Sequence, residues 1–270
     1  MDHQPQATYT HGHHESVVAS HRWRTAENSA GYLLAQLHPG MSVLDVGCGP
    51  GTITVDIAAR VAPGRVTAIE PAEDVLDLAR AEAHARQQSN ICFVTSDVHA
   101  LDFPDDTFDV VHAHQVLQHV ADPVLALREM RRVCSPGGIV AARDADYAGF
   151  IWYPRLPGLD RWLDLYHKAA RANGGEPDAG RHLLSWARKA GFDDITPTGA
   201  IWCFATPQDR QWWGETWADR VLRSNLARQT VDAGEATMAQ LQEISAAWRS
   251  WVADADGWMA IPHGEILCRA

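Results

Sequence analysis

Residues 42–51 read Ser-Val-Leu-Asp-Val-Gly-Cys-Gly-Pro-Gly, and this stretch decides the fold. Val43, Leu44 and Val46 are strand formers, and Gly47, Gly49 and Gly51 follow at once, where the backbone must bend tightly and come close to a ligand. Glycine costs chain entropy, so three in five positions point to backbone N–H groups offered to something bound.

Outward from this stretch, short apolar runs alternate with helical patterns, which is the signature of a doubly wound α/β protein with a parallel sheet. Strands are predicted at Ser42–Val46, Arg65–Ile69, Ile91–Thr95, Phe108–Ala113 and Gly138–Arg143. Between them, Thr52–Val61 puts Ile53, Ile57, Ala58 and Val61 on one face, and Ala72–Arg86 does the same with Val75, Leu76, Ala79 and Ala83. Asp122 and Pro123 supply an N-cap and a first-turn proline for a helix to about Val133, and Pro136-Gly137-Gly138 is the predicted turn after it.

Ligands of such sheets bind beyond the carboxyl ends of the strands. Those ends carry Asp45, Gly47, Cys48 and Gly49, then Glu70, then Ser96, Asp97 and Val98, then His114 and Gln115. Acids at successive strand ends suit a nucleoside: Glu70 accepts from both ribose hydroxyls, while Asp97 accepts from an adenine amine and the Val98 N–H meets a ring nitrogen. A dinucleotide loop wants Gly-x-Gly-x-x-Gly, but position 52 is Thr. Asp45 at the loop would oppose a pyrophosphate and suits a ligand carrying an ammonium and a sulfonium. The cofactor favoured is S-adenosylmethionine, with S-adenosylhomocysteine as product. A nicotinamide-dependent oxidoreductase is the weaker alternative.

The loop at 43–51, Phe103-Pro-Asp-Asp-Thr-Phe-Asp-Val-Val at 103–111, Val116-Leu-Gln-His-Val with Asp122-Pro123, and Leu127-Arg-Glu-Met-Arg-Arg-Val followed by Pro136-Gly-Gly together resemble the class I S-adenosylmethionine-dependent methyltransferases. The branch most resembled is that of ubiquinone and menaquinone biosynthesis with its relatives in secondary metabolism, and the likeness covers about residues 15–145. It implies a mostly parallel, seven-stranded Rossmann-like sheet whose last strand is antiparallel. It further implies that Gly47, Cys48 and Gly49 border the methionine part, Glu70 and Pro71 the ribose, and Ser96, Asp97 and Val98 the adenine. His114 and Gln115 would flank the sulfonium and amino group, and Tyr9 and Arg24, in a segment that closes over the cofactor in relatives, would reach its carboxylate end.

Three regions follow: a lid segment at 1–40, a cofactor-binding core at 41–148, and the rest of the sheet at 149–270. Ala26, Ala30, Leu33, Leu34 and Leu37 form a helical stripe in the first. The last holds a predicted helix at His182–Ala190, strands at about Asp194–Cys203 and Glu265–Arg269, and insertions at about 149–178 and 207–256. Ten of the eleven tryptophans lie after residue 150, so the insertions are expected to roof the site with an aromatic-lined pocket.

A formal charge of -11 disfavours a nucleic-acid partner, and five scattered cysteines argue against a disulfide framework or a zinc site. The histidines at 11, 13 and 14 read as a solvated terminus with no metal role. With no apolar run long enough to span a bilayer and no signal-like start, the expected location is the cytoplasm. A homodimer stays open, with Trp212-Trp213 as its candidate contact. The reaction expected is O- or C-methylation of a small, largely apolar or aromatic acceptor. A base is required only for a phenol or enol, and His114 and His119 are the candidates, with Asp144 and Asp146 read as solvated loop carboxylates. The alternatives are a relative that binds the cofactor but decarboxylates, hydroxylates or cyclises, and a non-enzymatic S-adenosylmethionine-binding protein.

Overall fold

A computed structural model describes residues 23–270, so Tyr9 and the histidines at 11, 13 and 14 lie outside the described residues. The first element, α1 (Ala26–Ser29), is a single turn capped by Thr25, and the predicted longer helix is broken: Ala30 closes α1, Gly31 follows, and a 3-10 turn resumes at Leu34–Gln36. Glycine after one turn makes continued helix costly, yet Ala26, Ala30, Leu33 and Leu37 all stay buried.

The sheet begins with β1 (Val43–Val46), buried at all four positions as a parallel strand covered on both faces must be. Helix α2 (Thr52–Val61) leads to β2 (Val66–Glu70), and α3 (Glu73–Ala85) to β3 (Ile91–Thr95). After β4 (Phe108–His114) comes α4 (Pro123–Val133), whose first turn is capped by Asp122 Oδ1 accepting from Leu125 N at 2.9 Å. β5 (Cys134–Ala145) starts directly at the end of that helix. The predicted Pro136-Gly137-Gly138 turn therefore lies inside β5, where the register against β4 slips between Phe108 and Val110. An irregularity of this kind absorbs extra residues without ending a strand.

These strands pair in parallel in the order β3-β2-β1-β4-β5. The remainder adds β6 (Ile151–Tyr153), α5 (Pro157–Ala172), α6 (Leu183–Ala190), β7 (Ile195–Phe204), then α7 (Pro207–Arg223), α8 (Asn225–Asp232), α9 (Met238–Ala253) and β8 (Trp258–Arg269). β8 starts well before the predicted Glu265 because it serves three partners, running antiparallel to β5, β6 and β7. β6 continues the edge begun by β5, so the sheet has eight strands: the mostly parallel methyltransferase-type pattern with an antiparallel last strand, plus one short extension.

Helices α4 and α6 cover one face of the sheet with Leu127, Met130, Leu183 and Ala187. Residues 26–37 and α2 cover the other through Leu33, Ile53 and Ile57. A third core lies in the helical additions. There Trp162 meets Trp217 and Trp248 edge-on at 4.6 and 4.9 Å, and Trp217 stacks on Trp248. Those ring faces are spent on one another, so most of the tryptophans build a core and do not line a pocket. Trp213 is buried against Phe204 at 4.6 Å, and the half-buried Trp212 stacks on Trp23 at 5.3 Å.

Candidate active site

The loop after β1 is held open by its backbone. Gly47 has φ 65°, and a Cβ there would lie 2.5 Å from Val116 Cγ2; Gly51 has φ 83°, and its Cβ would lie 2.9 Å from that of Ala79. Only glycine satisfies both demands. Cys48 N donates to Ile69 O at 3.0 Å, and Gly49 N donates to Glu70 Oε2 at 3.3 Å, which ties the loop to the end of β2. Burial pushes the Cys48 thiol up, so it is inert. Asp45 is turned into the protein: Oδ2 accepts from Thr54 Oγ1 at 2.6 Å, and Oδ1 lies 2.8 Å from His112 Nδ1. The carboxylate expected to face the ligand instead anchors α2 and β4 behind the loop.

Along the same edge, Ser96 N donates to Glu70 O at 3.4 Å, placing the third strand end beside the second, with Pro71 exposed and Val98 buried next to them. Asp97 is exposed, and its Oδ1 accepts from both the backbone N–H of His99 and the ring Nδ1 of His99. A bare loop with a carboxylate bonded to it and a second carboxylate one strand further fits a nucleoside ligand.

At the ends of β4 and β5 the chemistry is carried by side chains. Gln115 sits at φ 53°, unusual for a residue with a side chain and typical of functional turns. Arg24 Nη2 donates to Gln115 Oε1 at 2.6 Å; since arginine only donates, Gln115 Nε2 must face His263 Nε2, 2.9 Å away. His263 Nδ1 then donates to Ile261 O at 3.0 Å, so the donor direction runs unbroken from Arg24 to the main chain of β8. Beside this relay stand His114 and, one strand over in register, Arg143, whose Nε lies 3.1 Å from Glu265 Oε1. The Trp202 ring is the hub of the group: His263 lies 4.3 Å from it, Arg143 4.9 Å, Trp23 5.1 Å, and His114 and Arg24 5.8 Å.

Neither predicted base has a basicity suited to neutral pH. Burial, then the nearby Arg24 and Arg143, hold His114 well below the usual histidine range, and burial with Arg24 pulls His119 down to about 3. His119 is also fixed in tautomer. Ala145 N donates to Gln118 Oε1, so Gln118 Nε2 is the donor to His119 Nε2 at 2.9 Å and the ring proton sits on Nδ1. Asp144 and Asp146 are buried, contrary to the expected solvated loop. Asp144 Oδ1 accepts from Gln118 N, and burial raises its carboxyl to about 7; Asp146 pairs with Arg181 and caps Gly149 N.

The sequence expectations missed Arg143, Trp202, His263, Glu265 and His112. The signal for Arg143 was present, since an arginine closing the apolar run Ile139-Val-Ala-Ala is a charge committed to the sheet. His263 and Glu265 gave none, because their strand follows a long helical insertion. Among the described residues, no helix is long and apolar enough to cross a membrane, no His, Cys, Asp and Glu group has metal-site geometry, and all five cysteines are free.

The family model described as a methyltransferase domain matches residues 37–189. The chain is 36% identical to an uncharacterized methyltransferase of Schizosaccharomyces pombe, over 97% of this chain and 96% of the relative. It is 32% identical to the probable methyltransferase ltbC of Aspergillus luteorubrus, over 96% of each. Its fold is similar to that of Haemonchus contortus phosphoethanolamine N-methyltransferase 2, solved with phosphomonomethylethanolamine and S-adenosylhomocysteine, with a TM-score of 0.55 and 17% identity over 86% of this chain and 49% of that one.

Proposed function

This chain belongs to the methyltransferase-domain family, and we propose that it carries a methyl group from S-adenosylmethionine to a small, largely apolar or aromatic organic acceptor by O- or C-methylation. The observation that carries this reading is the glycine loop bonded through Gly49 to Glu70, with Asp97 one strand further along the same edge. When bound, S-adenosylmethionine supplies a methyl carbon made electrophilic by its sulfonium.

The residues do the rest by binding and alignment. Glu70 accepts from the ribose hydroxyls beside Pro71, Asp97 accepts from the adenine amine next to Ser96, and the Val98 N–H meets the ring. Gly47, Cys48 and Gly49 pass the methionine portion close to backbone, with Asp45 positioning them through Thr54 and His112. Arg24 and Gln115 close the carboxylate end, a role the family resemblance also gives to Tyr9, outside the described residues. Residues 1–40 act as lid, and 149–178 with 207–256 as the cap that keeps water from the reacting atoms.

The test is incubation with methyl-labelled S-adenosylmethionine and a metabolite extract, followed by isolation of labelled product. A labelled small organic acid, phenol or enol derivative is expected. Cofactor binding by calorimetry without any labelled product from such extracts would move the protein to a non-methylating reaction, and absence of binding would remove the cofactor.

A further inference from the structure

Pairing off the polar atoms around the Trp202 ring leaves donors without acceptors. Gln115 is spent on Arg24 and His263, and His263 on Gln115 and Ile261. Glu265 is spent as well, with Oε1 toward Arg143 Nε and Oε2 accepting from Thr198 Oγ1 at 2.8 Å. Arg143 Nη1 and Nη2, both ring nitrogens of His114 and the Tyr32 hydroxyl have no hydrogen-bond partner among the described residues. Arg143 is 1% exposed and His114 6%, so bulk solvent does not reach them. Arg143 Nε, too, meets Glu265 only as an ion pair, and a buried guanidinium with no well-formed hydrogen bond is a costly arrangement for a stable fold unless an acceptor arrives.

His114 and Arg143 are register partners on adjacent strands, so their side chains leave the same face of the sheet, and Trp202 closes over both. Asp144, by strand alternation, points to the opposite face, and Glu265 is the carboxylate that pairs with Arg143 on this one. The low basicity of His114, caused after burial by Arg24 and Arg143, marks the surroundings as cationic. The two Nη groups form the planar fork that suits a pair of carboxylate oxygens.

We propose that the Arg143–His114 donor cluster under Trp202 receives an ionised oxygen acid of the acceptor, a carboxylate or a comparably acidic phenolate or enolate borne on an apolar skeleton. This rests on the methyltransferase reading for the word acceptor, while the anion site itself stands on the unpartnered donors. The cofactor's own carboxylate is the other source of such an anion. Its assigned partner Arg24 stands 5.8 Å from the same Trp202 ring, so the experiment below includes an arm that separates the two sources. An acceptor that enters already ionised needs no protein base, in keeping with two histidines that are too weakly basic to be one.

The test uses wild-type protein saturated with S-adenosylhomocysteine and two matched probes, 2-naphthoate and 2-naphthamide, titrated by calorimetry at neutral pH. The acid is expected to bind at least ~10-fold more tightly than the amide, as a bidentate charged contact requires. The variant compared is Arg143→Met with Glu265→Gln, which removes the ion pair together and spares the fold an orphaned carboxylate. In it the acid-to-amide ratio should collapse toward one, with S-adenosylhomocysteine affinity retained and the circular dichroism spectrum unchanged. Equal binding of acid and amide, no measurable binding of the acid, or a ratio that survives in the double variant would each overturn the proposal. So would a double variant that loses affinity for S-adenosylhomocysteine but not for methylthioadenosine, because the donors would then belong to the cofactor's tail. Wild-type protein that fails to bind S-adenosylhomocysteine at all defeats the methyltransferase reading instead, and the probe ratio measured without it still decides the anion site.

Discussion

The two wings of the sheet make a site in opposite ways. On the β3-β2-β1 wing the ligand edge is mostly backbone: Gly47, Gly49 and Gly51 at positive φ, with Glu70 and Asp97 at the rim. On the β4-β5-β8-β7 wing it is almost all buried side chains, with Arg143, Glu265, His114, His263 and Trp202 in mutual contact. A backbone surface can hold a ligand that never changes, and side chains are what a family varies to change partner. Under the function proposed above, the contrast separates a part that would hold the cofactor from a part that would choose the acceptor.

The sharpest break of that contrast is Gly47→Val. A Cβ at 2.5 Å from Val116 and a φ of 65° leave no accommodation, so S-adenosylmethionine affinity should fall by at least ~100-fold in calorimetry. A loss below tenfold would show that the backbone does not make the cofactor surface. Trp248→Ala probes the cap instead. It removes a fully buried ring from the tryptophan core and should cost about 3–5 kcal/mol in urea unfolding, while cofactor affinity stays within twofold if the cap and the loop are energetically separate.

Glu70→Ala should weaken cofactor binding by about 1.5–3 kcal/mol, the worth of charge-assisted bonds to ribose. Asp97→Ala should cost less, because His99 already engages one of its oxygens. Reversal of that order by calorimetry would misplace the ribose. The smallest effect is on pH dependence. The Asp144 carboxyl, ordinarily 3.8, is raised by burial to about 7, so the native state holds a proton there that the unfolded chain has released. Its contribution to stability is present at low pH and is lost as pH rises through about 7. Urea midpoints of Asp144→Asn minus wild type, followed from pH 4 to 8, should rise over that interval, and a flat difference would remove the shifted carboxyl.

The backbone wing was legible because its signals are local. Glycine spacing, a strand-forming run and an acid after each strand fall within a few residues of one another, and α2 and β3 came out with the boundaries read from the sequence. The side-chain wing was hidden because its partners are far apart in the chain. Gln115 meets His263 across 148 positions, and Trp202 Nε1 donates to Asn28 O across 174. No periodicity reports such pairs. Burial also inverted expectations that rested on residue type alone. His114 and His119 looked like bases and are held neutral, Asp144 and Asp146 looked solvated and are enclosed, and Asp45 looked outward and faces in.

The length of β8 has a consequence for how the chain is made. Among the described residues, β6 and β7 have no strand partner other than β8, the last strand of the sheet in chain order. The β3-β2-β1-β4-β5 pairing does not need β8, whereas Arg143 meets Glu265 and Gln115 meets His263 only once that strand is in place. Until β8 pairs, the tryptophan-rich helices lack the strand that Trp202 and Phe204 lie against, so closure of that aromatic core waits on the last strand of the sheet.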